Sequence, residues 1–216
     1  MRQKPALTLL ALIDFAAGFL VATALSAAQN DSSMHHTSMM PKPAAMSIYN
    51  LGSEWQVQSN ARTKLIILRG RPVLAAMIYT HCADVCPLIL EKMQEIAQSV
   101  PATQRHQLQL VLFSMDWTRD TPAQLRAFAT GRHLDLKEWT LFRANENAVR
   151  ELAAAFGFSF YSDANGDYQH SIAIFLLDRN GAVAAELNDM DAPASEMIAA
   201  LRKLILRNPR PSPPRK

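Results

Sequence analysis

The chain has 216 residues, of which 49% are apolar and 19% are charged, and its formal net charge is +3. This length allows one principal globular domain with extensions at its ends. The composition is that of a globular protein, and so small a positive charge indicates no nucleic-acid partner.

The N-terminus has the layout of an export signal. Two basic residues, Arg2 and Lys4, precede an apolar run over 6–28 that closes on small residues. Asp14 interrupts the run and leaves a stretch too short to span a bilayer comfortably, which favours cleavage over permanent anchoring. We predict that residues 1–28 are a signal peptide or membrane anchor. The protein is then exported to the periplasm, and membrane contact is made through this segment alone.

The following segment, residues 29–47, shows no apolar periodicity and predicts a flexible tether. It is rich in thioether and imidazole side chains, which bind soft metal ions such as Cu(I). The alternative is a methionine-rich linker with no ligand role. The side chains concerned are those of Met34, His35, His36, Met39, Met40 and Met46.

The first half of the predicted domain alternates strands and helices. Residues 73–79 form an apolar run of strand length, which leads directly into two cysteines and an amphipathic helix. Residues 109–115 predict a second buried strand. Thr121 and Pro122 are a suitable N-cap and first-turn pair for the next helix, and residues 145–156 predict a third.

The second half begins with a hairpin. Residues 172–177 predict a strand, 178–181 a turn and 182–187 the partner strand, and a last helix is predicted over 190–206. Strands alternating with helices, followed by a hairpin and a helix, indicate an α/β fold with a mixed central sheet flanked by helices.

The C-terminal residues, 207–216, hold four prolines among basic residues. This composition is typical of a solvated, disordered tail. Between tether and tail, residues 48–206 have the length of one domain, and no internal repeat is apparent in them.

The topology predicts that distant residues meet at one edge of the sheet. Ligands of such sheets bind at the carboxyl ends of the parallel strands, where Cys82 and Cys86 lie. If strand 172–177 runs antiparallel to the first two strands, its beginning lies at the same edge. His170 is then expected close to the cysteines.

Cys82 and Cys86 are the only cysteines of the chain. Residues four apart on a helical turn point to the same side, and a helix N-terminus favours the thiolate over the thiol. Together with the neutral imidazole of His170, two thiolates form a soft three-coordinate set suited to Cu(I).

Two other interpretations of the cysteine pair stay open on the residues alone. A structural disulfide is common in exported proteins, although so short a loop gives little stabilisation. A redox-active pair is the other interpretation. A lone histidine ahead of a strand, as His170 is here, is more often a turn residue than a ligand.

Three stretches resemble the Sco/SenC family and occur in the family's order. The first is YTHCADVCP, residues 79–87, which carries both cysteines. The second is Ser-Met-Asp at 114–116 with Arg-Asp-Thr-Pro at 119–122, and the third is His-Ser-Ile at 170–172 ahead of Phe-Leu-Leu-Asp at 175–178. The combination is specific, whereas C-x-x-x-C alone is a weak signal.

The resemblance implies a thioredoxin-like fold and copper, as Cu(I) or Cu(II), bound by Cys82, Cys86 and His170. It also implies delivery of that copper to a cytochrome c oxidase subunit with a copper centre. Periplasmic thiol reductants and other copper carriers are the further partners expected. Ala83 and Trp117 stand where the family often has proline, and neither supplies a ligand.

Two functions are therefore predicted for the domain. The first is a copper chaperone, which is not an enzyme. The second is an exported thiol-disulfide oxidoreductase that keeps the cysteines of the oxidase copper site reduced, with Cys82 and Cys86 as its redox-active pair. The spacing favours the chaperone, because thioredoxin-like reductants use C-x-x-C. A thiol peroxidase is disfavoured because position 76 is alanine instead of proline.

Several polar residues near the cysteines are predicted to have lesser roles. Asp84 and Asp116 are interpreted as solvated carboxylates, with contacts to the ligands as the alternative. His81 is predicted to point away from the site. Residues 163–167 predict a turn and not a calcium loop, because Gly166 is in the wrong place for such a loop and the final ligand position holds Ile174 instead of glutamate.

Overall fold

The computed structural model describes residues 46–82, 84–163 and 168–206, which belong to one compact unit of residues 41–216. The predicted signal segment, all of the predicted tether except its last two residues, and the predicted tail lie outside these ranges. Those assignments stay predictions. None of the helices in the described ranges has the length and apolar character needed to cross a membrane.

The described residues contain nine strands and four α-helices. The strands are β1 Trp55–Val57, β2 Arg62–Thr63, β3 Val73–Ile78, β4 Gln109–Ser114, β5 Trp139–Arg143, β6 Phe160–Ser162, β7 Tyr168–His170, β8 Ile174–Leu177 and β9 Val183–Leu187. The helices are α1 Val85–Gln98, α2 Pro122–Gly131, α3 Glu146–Phe156 and α4 Ser195–Leu206.

Seven strands form one mixed sheet in the order β2-β1-β5-β4-β3-β8-β9. Strands β3, β4 and β5 are parallel neighbours, and β8 pairs antiparallel with β3. Ile174, the first residue of β8, pairs with Ala76 near the end of β3. The start of β8 therefore lies at the edge where β3 and β4 end, as the sequence predicts.

Apolar packing on both faces explains why the central strands are continuous apolar runs. Every residue of β3 is buried. On the sheet, Phe113 stacks against Phe142 with ring centroids 5.3 Å apart, and Phe156 of α3 stacks on Phe175 of β8 at 4.3 Å. The core thus connects the strands that end near the cysteines with the helix that precedes His170.

The predicted helix starts at Thr121 and Asn145 are confirmed. Thr121 Oγ1 accepts from the backbone N–H of Gln124 at 3.2 Å, and Asn145 Oδ1 accepts from that of Ala148 at 3.0 Å. Each side chain satisfies a donor that has no partner within its helix. Gly157 ends α3 with a left-handed φ of 67°, which favours glycine.

Helix α4 begins at Ser195, five residues after the predicted start. The intervening segment forms a turn, in which Asp189 Oδ1 accepts from the backbone N–H of Asp191 at 2.9 Å. Pro193 also follows, and turn-forming residues of this kind compete with helix.

The largest difference from the predicted fold concerns His170. It is the last residue of β7, which pairs only with β6 among the described strands, as a separate two-stranded sheet. The predicted strand over 172–177 begins instead at Ile174. Strands β1, β2, β5, β6 and β7 were not predicted. Four of them, β1, β2, β6 and β7, have only two or three residues, too few for the two-residue alternation to be distinct.

Candidate functional site

Cys82 lies in the turn between β3 and α1. Its backbone N–H donates to the carbonyl oxygen of Tyr79 at 3.2 Å, and α1 starts only at Val85. The sequence spacing predicted that both cysteines lie on one helical turn. This is wrong for Cys82, which precedes the helix. The Cys82 sulfur instead accepts from the backbone N–H of Cys86 at 3.4 Å. Asp84 is the N-cap residue but its side chain makes no cap bond, so the sulfur takes that place.

Cys86 lies in the first turn of α1 and is fully buried. Its thiol donates to the Cys82 sulfur and contacts the Tyr79 carbonyl oxygen at 3.9 Å. Neither cysteine is in a disulfide. Pro87 follows in the first turn of α1, where a missing N–H costs no helical hydrogen bond.

The two sulfurs carry different charges in the reduced protein. The hydrogen bond from the Cys86 thiol lowers the pKa of Cys82 to about 3, although burial opposes the shift; His170 and the backbone N–H groups of Cys86 and Val85 lower it further. The bond that Cys86 donates, together with its burial, raises the pKa of Cys86 above its usual value. The pair therefore carries one thiolate, on Cys82. The helix N-terminus contributes to it, as predicted, but the second cysteine contributes more.

His170 completes the group, since its side chain hydrogen-bonds to Cys82. Its Nδ1–H donates to the Ser171 carbonyl oxygen at 2.6 Å, which leaves Nε2 for the sulfur. The ring stacks on Phe158 and meets Tyr79 edge-on, each with centroids 5.9 Å apart. Burial acts to lower the pKa of His170, but the bonds to Cys82 and Ser171 outweigh it and raise that pKa.

Cys82 and His170 open into one cleft of about 470 Å³. Cys86 does not line the cleft and is fully buried. The three side chains are therefore approached from the side of Cys82 and His170. The other lining residues are Tyr79, His81, Asp84, Val85, Asp163, Tyr168, Gln169 and Ile172. Asp84 is exposed, in agreement with its interpretation as a solvated carboxylate. Of the predicted turn at 163–167, only Asp163 lies within the described residues.

The interpretation of Asp116 as a solvated carboxylate is wrong. Asp116 is only 1% exposed, and it accepts from Arg119 Nε and from the backbone N–H groups of Thr118 and Arg119. A charged residue is buried only when it is paired. The signal in the sequence that could have predicted this burial is Arg119, three residues after Asp116, because it supplies the paired charge.

Asp120 is a buried residue of the site region that the sequence analysis did not single out. Its Oδ2 accepts from the Thr80 backbone N–H at 3.0 Å and from Ser114 Oγ at 2.6 Å, and its Oδ1 accepts from Thr80 Oγ1 at 2.5 Å. These bonds tie the turn that carries Cys82 to the end of β4. The resembling segment at 119–122 contained Asp120, but nothing in the pattern gave its role.

His81, Asp116 and Asp120 bring three ligand atoms within 4.8 Å of one another. The partners already named satisfy both carboxylates, so this cluster stabilises the turn. His81 is exposed, and its Nδ1 lies 3.2 Å from Thr80 Oγ1 and 3.9 Å from Asp120 Oδ1. His81 lines the cleft, and its Nδ1 lies beside Thr80 and Asp120. Its predicted orientation away from the cysteines stays a prediction.

Two sulfurs and one imidazole are the donors that soft metal ions prefer. The SCO1/SenC family model matches residues 49–206, almost the whole described domain. The chain belongs to the SCO1/SenC family. The predicted resemblance is therefore confirmed.

One similar relative is a Stutzerimonas stutzeri protein that is provisionally named as copper-binding. It is 32% identical over 124 residues, which cover 56% of this chain and 59% of the relative. This chain thus spans less than two thirds of that relative's length.

Two solved structures show the same fold. The structure of BsSco, described with a disulfide switch and as a member of the Sco family of cytochrome c oxidase assembly proteins, has a TM-score of 0.61 and 22% identity to this chain. The match covers 72% of this chain and 92% of that chain. Copper-bound ScoI of Bradyrhizobium japonicum has a TM-score of 0.58 and 22% identity, with coverages of 70% and 96%. The predicted thioredoxin-like fold of the SCO1/SenC chain is confirmed.

Proposed function

We propose that this chain is a copper chaperone, which binds one copper ion through Cys82, Cys86 and His170 and delivers it during cytochrome c oxidase assembly. One observation carries the proposal. The Cys82 thiolate accepts hydrogen bonds from both the Cys86 thiol and the His170 ring, so the other two donors already contact the Cys82 sulfur.

The donor set fits copper in both oxidation states. Two thiolates bind Cu(I) strongly, and an imidazole nitrogen adds a ligand that Cu(II) also accepts. The bond from His170 Nδ1 to the Ser171 carbonyl oxygen fixes the ring and leaves Nε2 for the metal. Copper is the cargo of this protein, so binding has to be reversible.

The position of the donors also suits transfer to a partner. Cys82 and His170 line the open cleft, whereas Cys86 is fully buried beneath it. Ligands of an incoming protein would therefore reach the metal from the side of Cys82 and His170, while Cys86 holds it from below. We propose an oxidase subunit with a copper centre as the recipient, and periplasmic thiol reductants or other copper carriers as further partners.

The names and descriptions of the similar proteins support this assignment. One is provisionally named as copper-binding, one was solved with copper, and one is described within a family of cytochrome c oxidase assembly proteins. The predicted signal segment supports function outside the cytoplasm, in the periplasm.

The first experiment titrates Cu(I) and Cu(II) into reduced protein that begins after the signal segment. We expect one Cu(I) to bind, and Cys82→Ser or Cys86→Ser to abolish that binding, because thiolates dominate affinity for soft metals. His170→Ala should lose Cu(II) binding and weaken Cu(I) binding by at least about tenfold. His170→Ala should also fail to support oxidase maturation.

The matched control is His81→Ala, which removes the other histidine of the cleft and should leave both affinities unchanged. Undiminished tight Cu(I) binding in either cysteine variant would sink the site assignment. Wild-type affinity of His170→Ala for both oxidation states would make His170 a turn residue.

The second candidate function is a thiol-disulfide oxidoreductase, which the Cys82 thiolate and the adjacent Cys86 thiol favour. Cys82 would attack a partner's disulfide to form a mixed disulfide, and Cys86 would then displace the partner as a dithiol, leaving a Cys82–Cys86 disulfide. This chemistry needs no imidazole ligand. His170→Ala should therefore retain disulfide formation, and if it also keeps wild-type copper affinity, the oxidoreductase becomes the better assignment.

A further inference from the structure

The strand that carries His170 is attached to the domain by side chains. Strand β7 pairs with β6, and the two form a sheet separate from the seven-stranded one in the described part of the chain. The Ser171 backbone N–H donates to the Ser159 carbonyl oxygen at 2.8 Å, which closes this hairpin at its open end. The distance from His170 to Cys82 therefore depends on what packs against the β6–β7 hairpin.

Trp117 packs against both strands of that hairpin. It lies in the loop after β4, and its ring centroid is 6.2 Å from Phe160 of β6 and 6.3 Å from Tyr168 of β7, edge-on in both cases. Its own backbone is held to the central sheet, because Arg143 Nη2 donates to the Trp117 carbonyl oxygen at 2.8 Å. Trp117 is thus a fixed contact between the central sheet and the hairpin.

Arg150 of α3 reinforces this contact with a positive charge. Its guanidinium carbon lies 5.5 Å from the ring centroids of both Trp117 and Phe160. Its Nε donates to Glu146 Oε1 at 2.8 Å, one helical turn earlier, which orients the guanidinium. A cation between two aromatic faces attracts both of them.

Ring contacts connect Trp117 to His170 along both strands. Through β7, Tyr168 contacts Tyr79 at 5.3 Å, and Tyr79 contacts His170 at 5.9 Å. Through β6, Phe160 contacts Phe158 at 6.4 Å, and Phe158 stacks on His170 at 5.9 Å. A shift of the hairpin would therefore move the rings that surround His170.

We infer that Trp117 and Arg150 are positioning residues, which clamp the β6–β7 hairpin and so hold His170 against Cys82. Neither residue lines the cleft among the described residues. The clamp is a property of the metal-free protein, whereas its consequence for copper rests on the proposed function. Loosening it should reduce the contribution of His170 and leave the hydrogen bonds from Cys86 to the Cys82 sulfur in place.

The first arm of the test measures hydrogen–deuterium exchange in reduced, metal-free protein. Trp117→Ala should speed exchange in peptides covering 158–163 and 168–172, and Arg150→Met should do so to a smaller extent. Trp117→Phe should lie closer to wild type, since it keeps a ring. Tyr161→Ala is the matched control, because this aromatic residue of β6 is 66% exposed and should change little.

The second arm measures copper in the same variants. Trp117→Ala should lower Cu(II) affinity by about tenfold, the lower end of the effect of residues that orient a metal ligand. It should also weaken the spectroscopic signature of nitrogen coordination, while the rate of disulfide formation between the cysteines stays unchanged.

The two arms separate the possible failures. Unchanged hairpin exchange in both Trp117→Ala and Arg150→Met overturns the clamp, whatever copper does. Faster exchange with unaltered Cu(II) affinity and spectrum overturns its link to His170. Failure of wild-type protein to bind copper refutes the proposed function and leaves the first arm to decide on the clamp. If Trp117→Ala does not fold, Arg150→Met decides, since its side chain is 55% exposed.

Discussion

The backbone N–H of Cys86 donates to the sulfur of Cys82 at 3.4 Å, so the first cysteine caps the helix that carries the second. The thiol of Cys86 donates to the same sulfur. Backbone and side chain of one residue thus stabilise negative charge on the other. The pair is prepared for a soft metal or for attack on a disulfide before either arrives.

The first prediction concerns the charge on Cys82 in the reduced, metal-free protein. Its thiolate should persist down to acidic pH, because its pKa is lowered to about 3, whereas Cys86 should stay a thiol at neutral pH. Ultraviolet thiolate absorbance, followed as pH falls, measures this directly. Cys86→Ser keeps a donor and should preserve a low pKa, but Cys86→Ala removes it and should raise the pKa of Cys82.

A Cys82 pKa near that of an ordinary cysteine, in wild type or in Cys86→Ser, would contradict the prediction. Equal pKa values in Cys86→Ser and Cys86→Ala would show that the Cys86 side chain is not needed and that His170 and the backbone N–H groups stabilise the thiolate.

The second prediction concerns Asp120, which accepts three hydrogen bonds where no water reaches it. Asp120→Ala should lower the free energy of unfolding by about 2 kcal/mol or more, because buried donors lose their partners. Burial raises the pKa of Asp120, so its charge is not fully stabilised. The uncharged Asp120→Asn should therefore cost less than Asp120→Ala. Denaturant unfolding of the reduced protein measures both.

Asp191→Ala serves as the control, since this carboxylate is exposed in the loop before α4. It should change stability by less than about 0.5 kcal/mol. A loss for Asp120→Ala no larger than for Asp191→Ala would mean that the Thr80 turn is held by other contacts.

The central strands and the site residues could be predicted from sequence for different reasons. Strands β3 and β4 are buried on both faces, so their apolar runs are unambiguous. The resemblance supplied His170, and the antiparallel direction of β8 explained how it could reach Cys82. The structure confirms this proximity but puts His170 on a different strand, because three-residue strands carry no clear period.

The side chains that support the site were harder to predict. Asp116 is buried although it is charged, since Arg119 and backbone N–H groups compensate it. Trp117 was noted only as a departure from the family pattern. Its contacts with Phe160 and Tyr168 come from residues more than forty positions away, which local periodicity does not relate.

The third prediction concerns the Met/His-rich part of the tether, nearly all of which lies outside the described residues. Deleting 34–46 should leave the high-affinity copper site intact but slow loading from weak donors at limiting copper, because tethered soft ligands raise the local copper concentration. A variant of equal length, with Met replaced by Leu and His by Asn throughout this stretch, separates ligands from length. Identical loading of all three proteins would make the segment only a linker.

The last prediction concerns protons released on copper binding, and it rests on the proposed function. Copper needs two thiolates and a neutral imidazole. Cys82 is already a thiolate at neutral pH, but the pKa values of Cys86 and His170 are both raised. Binding should therefore release one proton from Cys86 and, where His170 is protonated, a second from its ring.

The sign of the pH dependence follows from these shifts. Cu(I) affinity should rise between about pH 6 and pH 8, by about tenfold per pH unit for each proton released. Competition with a Cu(I) chelator at several pH values gives the slope, and calorimetry in buffers of different ionisation enthalpy counts the protons. In His170→Ala the contribution of the ring disappears and that of Cys86 remains. An affinity independent of pH over this range would mean that the metal-free site holds both sulfurs as thiolates and His170 neutral, contrary to the hydrogen bonds that Cys86 and His170 make to Cys82.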